Sequence, residues 1–282
     1  MAIKDILLAL RTYPDPTPES AIADAVAIAA ALDARLAGIA CGVRIKLPSS
    51  PLAGMLIDLP GMAAAEAKKS ADAASSLLTA LEREAKRAGV VAEAISENAL
   101  TGEVPDVLAD YARLRDLTIF PVPKGDDFDQ WYAETIIFGS GRPTLILPAE
   151  WKRREPFAID SAVIAWDFSR AAARSVADAM PLLAKAKRVY VATVVNEKQI
   201  DSRQSASELA KHLARHGVEV VVDKVDAAGR DVGTAIKAHC ASREADLLVM
   251  GAYGHSRVLE FILGGATRSM LSSPTLPILM SH

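Results

Sequence analysis

Residues 246–254 read Asp246-Leu247-Leu248-Val249-Met250-Gly251-Ala252-Tyr253-Gly254. An apolar run this short, opened by an acid and closed by glycine, reads as a strand buried on both faces. Its companion stands earlier in the chain, as Asp116-Leu117-Thr118-Ile119-Phe120. Beyond each copy lies a second matching run, Pro143-Thr144-Leu145-Ile146-Leu147 in the first case and Pro277-Ile278-Leu279-Met280 in the other. Two copies of the same pair of strands imply a tandem duplication of a unit about half the length of the 282-residue chain.

Working outward, short β-branched runs alternate with Ala/Leu-rich helical stretches. In the first half the pattern predicts strands at 3–10, 36–45, 90–99, 117–122 and 144–147. Helices are expected at 20–36, 63–88 and 103–115, with a further helical stretch before residue 144. The second half repeats this, with strands at 163–165, 189–195, 218–225, 246–250 and 277–280. Its helices are expected at 170–187, 202–216, 231–243 and 258–273. Strands alternating with helices of this length require parallel pairing and right-handed crossovers. The expected fold is α/β, two tandem doubly wound parallel-sheet domains at 1–149 and 157–282. The polar, proline-bounded segment 148–156 joins them.

Hydrophobic residues make up 51% of the chain and charged residues 24%, which suits globular domains with sizeable cores and excludes disorder. Aromatics are only 5%, so the cores must be built from Ala, Val, Leu and Ile. A net charge of -3 gives no basic field to hold nucleic acid or an anionic membrane. The two cysteines, Cys41 and Cys240, have neither disulfide-framework nor metal-ligand spacing and suit a reducing compartment. The run Ile6–Leu10 is too short for a signal peptide, and the apolar stretch 21–41 carries Asp24, Asp33 and Arg35. A soluble, cytoplasmic protein is expected.

One segment has the chemistry of a binding site. After the strand 246–250 come Gly251 and Gly254, then nine residues, then Gly264-Gly265-Ala266-Thr267 at the start of a helix. Phosphate oxygens need backbone N–H donors at close range, which a Cβ would obstruct. The helix adds its positive dipole end, and Thr267 a hydroxyl. In an open parallel sheet, ligands bind beyond the carboxyl ends of the strands, where this segment falls. Glycines also serve as turn and helix-end residues, and that reading stays open beside the binding one.

The segment resembles the universal stress protein family, whose nucleotide-binding members carry G-x2-G-x9-G followed by Ser or Thr. Gly251, Gly254 and Gly264 match, with Met250 before them as the family often has. Gly265 departs from the Ser or Thr, while Thr267 matches a phosphate-contacting position. The run Ala165-Trp166-Asp167-Phe168-Ser169 resembles the family's first-strand pattern, which nominates Asp167 for the nucleoside end. Asp167 with Ser169 reads equally as a helix N-cap. The resemblance assigns the backbone contact to adenine to Val194, within about one residue. It therefore implies ATP, AMP or ADP, with or without Mg2+, held by Ala165, Asp167, Val194, Met250, Gly251, Gly254, Gly264, Gly265, Ala266 and Thr267. It also implies an internal pseudo-dimer of the two domains, leaves homodimer formation open, and points to a regulatory role in stress. No catalytic residue or metal cluster stands out. A slow ATPase or nucleotidyl-transfer enzyme, or an interaction module with both sites vestigial, remain the alternatives.

The first half departs from the motif. Aligning Asp116 with Asp246 puts Pro121 in the place of Gly251, Lys124 in the place of Gly254 and Arg11 in the place of Asp167. Proline removes a donor. The span 121–143 covers 22 positions against 26 for 251–277, so the second glycine pair is lost. Gly139-Ser140-Gly141 reads as a turn, and the first half is expected not to bind a nucleotide in the family manner. His212 and His216 share a helical face at metal-pair spacing but have no acidic or thiol companion, so a solvated face is expected there.

Overall fold

The computed structural model describes residues 2–46, 58–123, 126–148, 151, 155–195, 206–252 and 265–282. Within them strand and helix alternate as the sequence predicts. The first half contains β1 (Asp5–Leu10), α1 (Glu19–Leu32), β2 (Arg35–Arg44), α2 (Leu59–Ala88), β3 (Ala92–Leu100), α3 (Val104–Ala112), β4 (Leu117–Val122), α4 (Asp127–Ser140) and β5 (Thr144–Pro148). The second contains β6 (Ser161–Ala165), α5 (Arg170–Leu183), β7 (Arg188–Val195), α6 (Ala206–Arg215), β8 (Val220–Asp226), α7 (Val232–Ser242), β9 (Leu247–Gly251), α8 (Gly265–Ser272) and β10 (Ile278–Ser281). The strands described form one sheet in the order β3-β2-β1-β4-β5-β10-β9-β6-β7-β8.

Counted outward from the centre, both halves have the same order: fifth strand, fourth, first, second, third. Pairing within each half is parallel. Between the halves β5 meets β10 antiparallel, with Leu145 opposite Leu279, Ile146 opposite Ile278 and Thr144 opposite Met280. Parallel pairing follows from the strand–helix alternation inside a unit. The antiparallel joint is a meeting of two unit edges and has no local signal.

The duplication is visible in individual hydrogen bonds. The Asp116 carboxylate accepts from the backbone N–H groups of Lys4 (2.9 Å) and Asp5 (3.0 Å). Asp246 does the same for Asp160 (2.8 Å) and Ser161 (3.0 Å). Each acid thereby fixes the start of its half's first strand beside the fourth. The register pairs Ile6 with Leu117 and Ala162 with Leu247, so Arg11 and Asp167 are equivalent, as are Pro121 and Gly251.

Successive strand residues point to opposite faces, and the core divides accordingly. Ile6, Leu8, Leu117, Ile119, Ile164, Val191, Val249 and Leu279 pack on one face under α1, α2, α5 and α6. Leu7, Ile39, Phe120, Ile146, Val163, Leu248, Ile278 and Met280 pack on the other under α3, α4, α7 and α8. Both cores run through the joint without interruption.

Helix ends account for most differences from expectation. α2 begins at Leu59, where Pro60 fits the first turn and Asp58 accepts from the Gly61 N–H at 3.0 Å. It stops at Gly89, whose φ of 70° suits a glycine terminator as expected. Gly139 and Ser140 are the last residues of α4 and Gly141 is its left-handed cap at φ 65°, so the expected turn is a helix terminus.

Replacing Asp246 by Ala removes two hydrogen bonds to a charged acceptor, each worth roughly 1.5–3 kcal/mol before solvent compensation. The expected loss is about 2 kcal/mol in urea unfolding. Asp116→Ala should cost a similar amount through the equivalent bonds.

Candidate functional site

From β6 the chain moves outward to β7 and β8, then returns to β9 on the other side of β6. The carboxyl ends of β6 and β9 therefore mark a topological switch point, the place where open parallel sheets bind ligands. Ala165, at the end of β6, pairs with Met250 on one side and Ala192 on the other. Asp167 and Gly251 lie just past this pair. Val194 lies two residues past Ala192 on β7, half-buried and in register with Val225. Five of the nominated residues thus gather at the switch point. Gly265, Ala266 and Thr267 form the first turn of α8, exposed, half-buried and buried respectively. Gly254 and Gly264 lie outside the described residues.

A short turn positions Asp167. Its carboxylate accepts from the Ser169 N–H at 2.9 Å, and the Ser169 hydroxyl accepts from the Ala172 N–H at 3.0 Å as the N-cap of α5. Ser169 is therefore the cap, and Asp167 braces the turn before it. Between them Phe168 adopts φ 62°, a left-handed conformation that costs a non-glycine residue energy, with its ring 47% exposed. The ring meets Trp166 edge-on at 5.8 Å between centroids.

Gly251 has a packing reason to be glycine. A Cβ there would stand 2.5 Å from the Ala172 nitrogen and 2.6 Å from the Ala171 carbonyl carbon. Only a bare backbone lets the first turn of α5 lie against the end of β9. This reason is independent of any ligand. The next amide, that of Ala252, donates to the Ser281 carbonyl at 2.8 Å and belongs to the sheet. Gly265 differs, since a Cβ there would meet open space. α7 presses on the same helix: a Cβ at Gly233 would stand 2.8 Å from that of Ser269, and the Lys237 ammonium donates to the Ser269 carbonyl at 2.7 Å. Burial lowers the Lys237 pKa from its ordinary value.

Other titratable groups bear on chemistry. Burial pushes the Cys41 and Cys240 thiols up to about 12, so both are protonated at neutral pH and poor nucleophiles. A cluster unseen in the sequence joins α7 to β8: His239 Nε2 stands 3.2 Å from the Asp223 carboxylate, and Arg243 stands 2.9 Å from the same oxygen. Arg243 also covers the Tyr190 ring at 4.8 Å. Burial lowers the His239 pKa despite Asp223. No sequence spacing signals this cluster, because its members come from β7, β8 and α7. His212 and His216 are exposed, with rings 4.9 Å apart. Among the described residues no group of three or more His, Cys, Asp or Glu could hold a metal ion, and no helix is long and apolar enough to cross a membrane.

These features define a doubly wound α/β protein with a topological switch point between β6 and β9. The family model described as "Universal stress protein family" matches residues 159–282, the second half of the chain. A universal stress protein from Archaeoglobus fulgidus DSM 4304 shares the fold at a TM-score of 0.71 and 18% identity, over 98% of this chain and 95% of its own. A putative universal stress protein from Pseudomonas aeruginosa UCBPP-PA14 matches at 0.61 and 14%, over 99% and 93%. Among curated proteins none matches the chain in sequence.

Gly251→Ala should destabilise the protein by about 1–3 kcal/mol, the usual cost of overpacking, because the obstructing atoms are backbone. Chemical denaturation measures it. Gly265→Ala, with open space around its Cβ, should leave the midpoint nearly unchanged or slightly raised.

Proposed function

We propose that the chain is a two-domain universal stress protein, with domains 1–149 and 157–282 packed as an internal pseudo-dimer. It binds ATP or another adenine nucleotide in the second domain and acts as a regulator of the stress response in the cytoplasm. The observation that carries this reading is the gathering of Ala165, Asp167, Met250 and Gly251 at the switch point, within the segment that matches the family.

The roles follow from donor and acceptor chemistry. A carboxylate only accepts, so Asp167 suits the hydroxyls of a ribose. The Val194 backbone, at the end of the neighbouring strand, suits the base edge. Amides at Gly251, Gly254, Gly264, Gly265 and Ala266, with the Thr267 hydroxyl, suit the phosphates, and the positive end of the α8 dipole favours negative charge. Mg2+ would accompany a triphosphate and neutralise its charge. The residues given roles here bind and orient, and neither thiol is activated, so the proposed output is a conformational or assembly change.

Calorimetry with ATP, ADP and AMP, with and without Mg2+, tests the proposal together with native mass spectrometry of freshly purified protein. Saturable binding of one adenylate per chain is expected. A ligand at 100 times its Kd should add about 2.7 kcal/mol to unfolding stability. Asp167→Ala should weaken binding by roughly tenfold or more, the cost of a lost charge-assisted hydrogen bond. No heat, no thermal shift and no bound adenylate would overturn the reading.

A further inference from the structure

The equivalent crevice of the first half is filled from within. Arg11, at the register position of Asp167, is 0% exposed although its side chain is a full cation. Its Nη1 stands 2.7 Å from the carboxylate of Asp129, which is also 0% exposed, and 3.4 Å from that of Asp126. Its Nε donates to the Asp15 carbonyl at 3.1 Å. Its backbone N–H donates to the Thr17 hydroxyl at 3.0 Å, and its carbonyl accepts from the Thr17 N–H at 2.8 Å. Among the described residues, Nη2 is buried with no hydrogen-bond partner.

The two acids belong to the first turn of α4, the helix that follows β4 as α8 follows β9. Asp126 is its N-cap and accepts from the Asp129 N–H at 2.9 Å. Asp129 thus places a carboxylate where the helix dipole and a buried guanidinium both favour negative charge. A guanidinium cannot lose its proton to escape burial, so this pocket requires an anion.

We propose that the first-half crevice is an anion-binding site whose resident ligand is the chain's own Asp129 carboxylate, held by Arg11 and the first turn of α4. The site is closed to external anions while Asp129 is in place and becomes a receptor for a small carboxylate such as formate when that side chain is removed. The free Nη2 hydrogens leave Arg11 with donor capacity for such a replacement. The proposal is independent of whether the second half binds an adenylate.

The test uses full-length Asp129→Ala. It should melt well below the parent, and formate should raise its midpoint in a saturable way relative to chloride at equal ionic strength. The parent and the double variant Arg11→Met/Asp129→Ala should show no formate-specific shift. A single variant that ignores formate, or a double variant that responds as strongly, overturns the proposal. Should Asp129→Ala not fold, Arg11→Met, Asp129→Asn and their combination decide the matter. A combination no less stable than either single variant supports a dedicated cation–anion pair, and additive losses overturn it.

Discussion

Pairing β5 against β10 removes two sheet edges at once. An unpaired inner strand in either half would present a row of backbone donors and acceptors, a template for unwanted association. The joint satisfies them and lets the apolar residues on both sides merge, so Leu145 and Leu279 share one core while Ile146 and Ile278 share the other. Helices on both faces then cover a sheet whose hydrophobic interior never ends at the boundary between halves. The remaining edges, β3 and β8, carry exposed charge: Glu93 on one, Lys224 and Asp226 on the other. Outward charge of that kind discourages further strand addition.

Within this frame the halves keep what the backbone needs and diverge at the carboxyl ends of their first strands. Asp116 and Asp246 make the same pair of bonds to the same positions. The connections after the first strands differ. In the second half Ser169 caps α5 two residues beyond Asp167, and the helix start bears directly on Gly251. In the first half α1 begins only at Glu19, and of the residues between it and Arg11 the Asp15 carbonyl accepts from the guanidinium while Thr17 holds the Arg11 backbone. The same fourth-strand position can therefore be Pro121 in one half and must be small in the other.

The strands are legible in the sequence because parallel strands buried on both faces are apolar throughout, and glycines or prolines bound them. The repeat is legible because Asp116 and Asp246 stand at the same offset from those runs. Helix termini are less so: nothing in the run 170–187 says that α5 stops at Leu183, which tertiary packing decides. The position of Asp167 and Gly251 at the strand ends is legible in the sequence, but the packing reason for Gly251 is not, since the atoms that exclude a Cβ come from α5, far off in sequence. Arg11 is visible as a departure from the motif, yet its partners lie on another element, 115 positions away in the case of Asp126. The Asp223–His239–Arg243 cluster is hidden for the same reason.

One register position carries opposite chemistry in the two halves. Asp167 offers only lone pairs, so whatever lies beside it must bring hydrogens, as the Ser169 N–H does. Arg11 offers only hydrogens, so its neighbour must bring lone pairs and negative charge. A buried guanidinium without an anion would cost several kcal/mol, and a freely diffusing ligand satisfies such a need only while it is bound. A carboxylate carried on α4 is always present and loses little entropy on pairing, because the helix already fixes its backbone. Charge reversal at this position therefore goes together with an acid in the following helix.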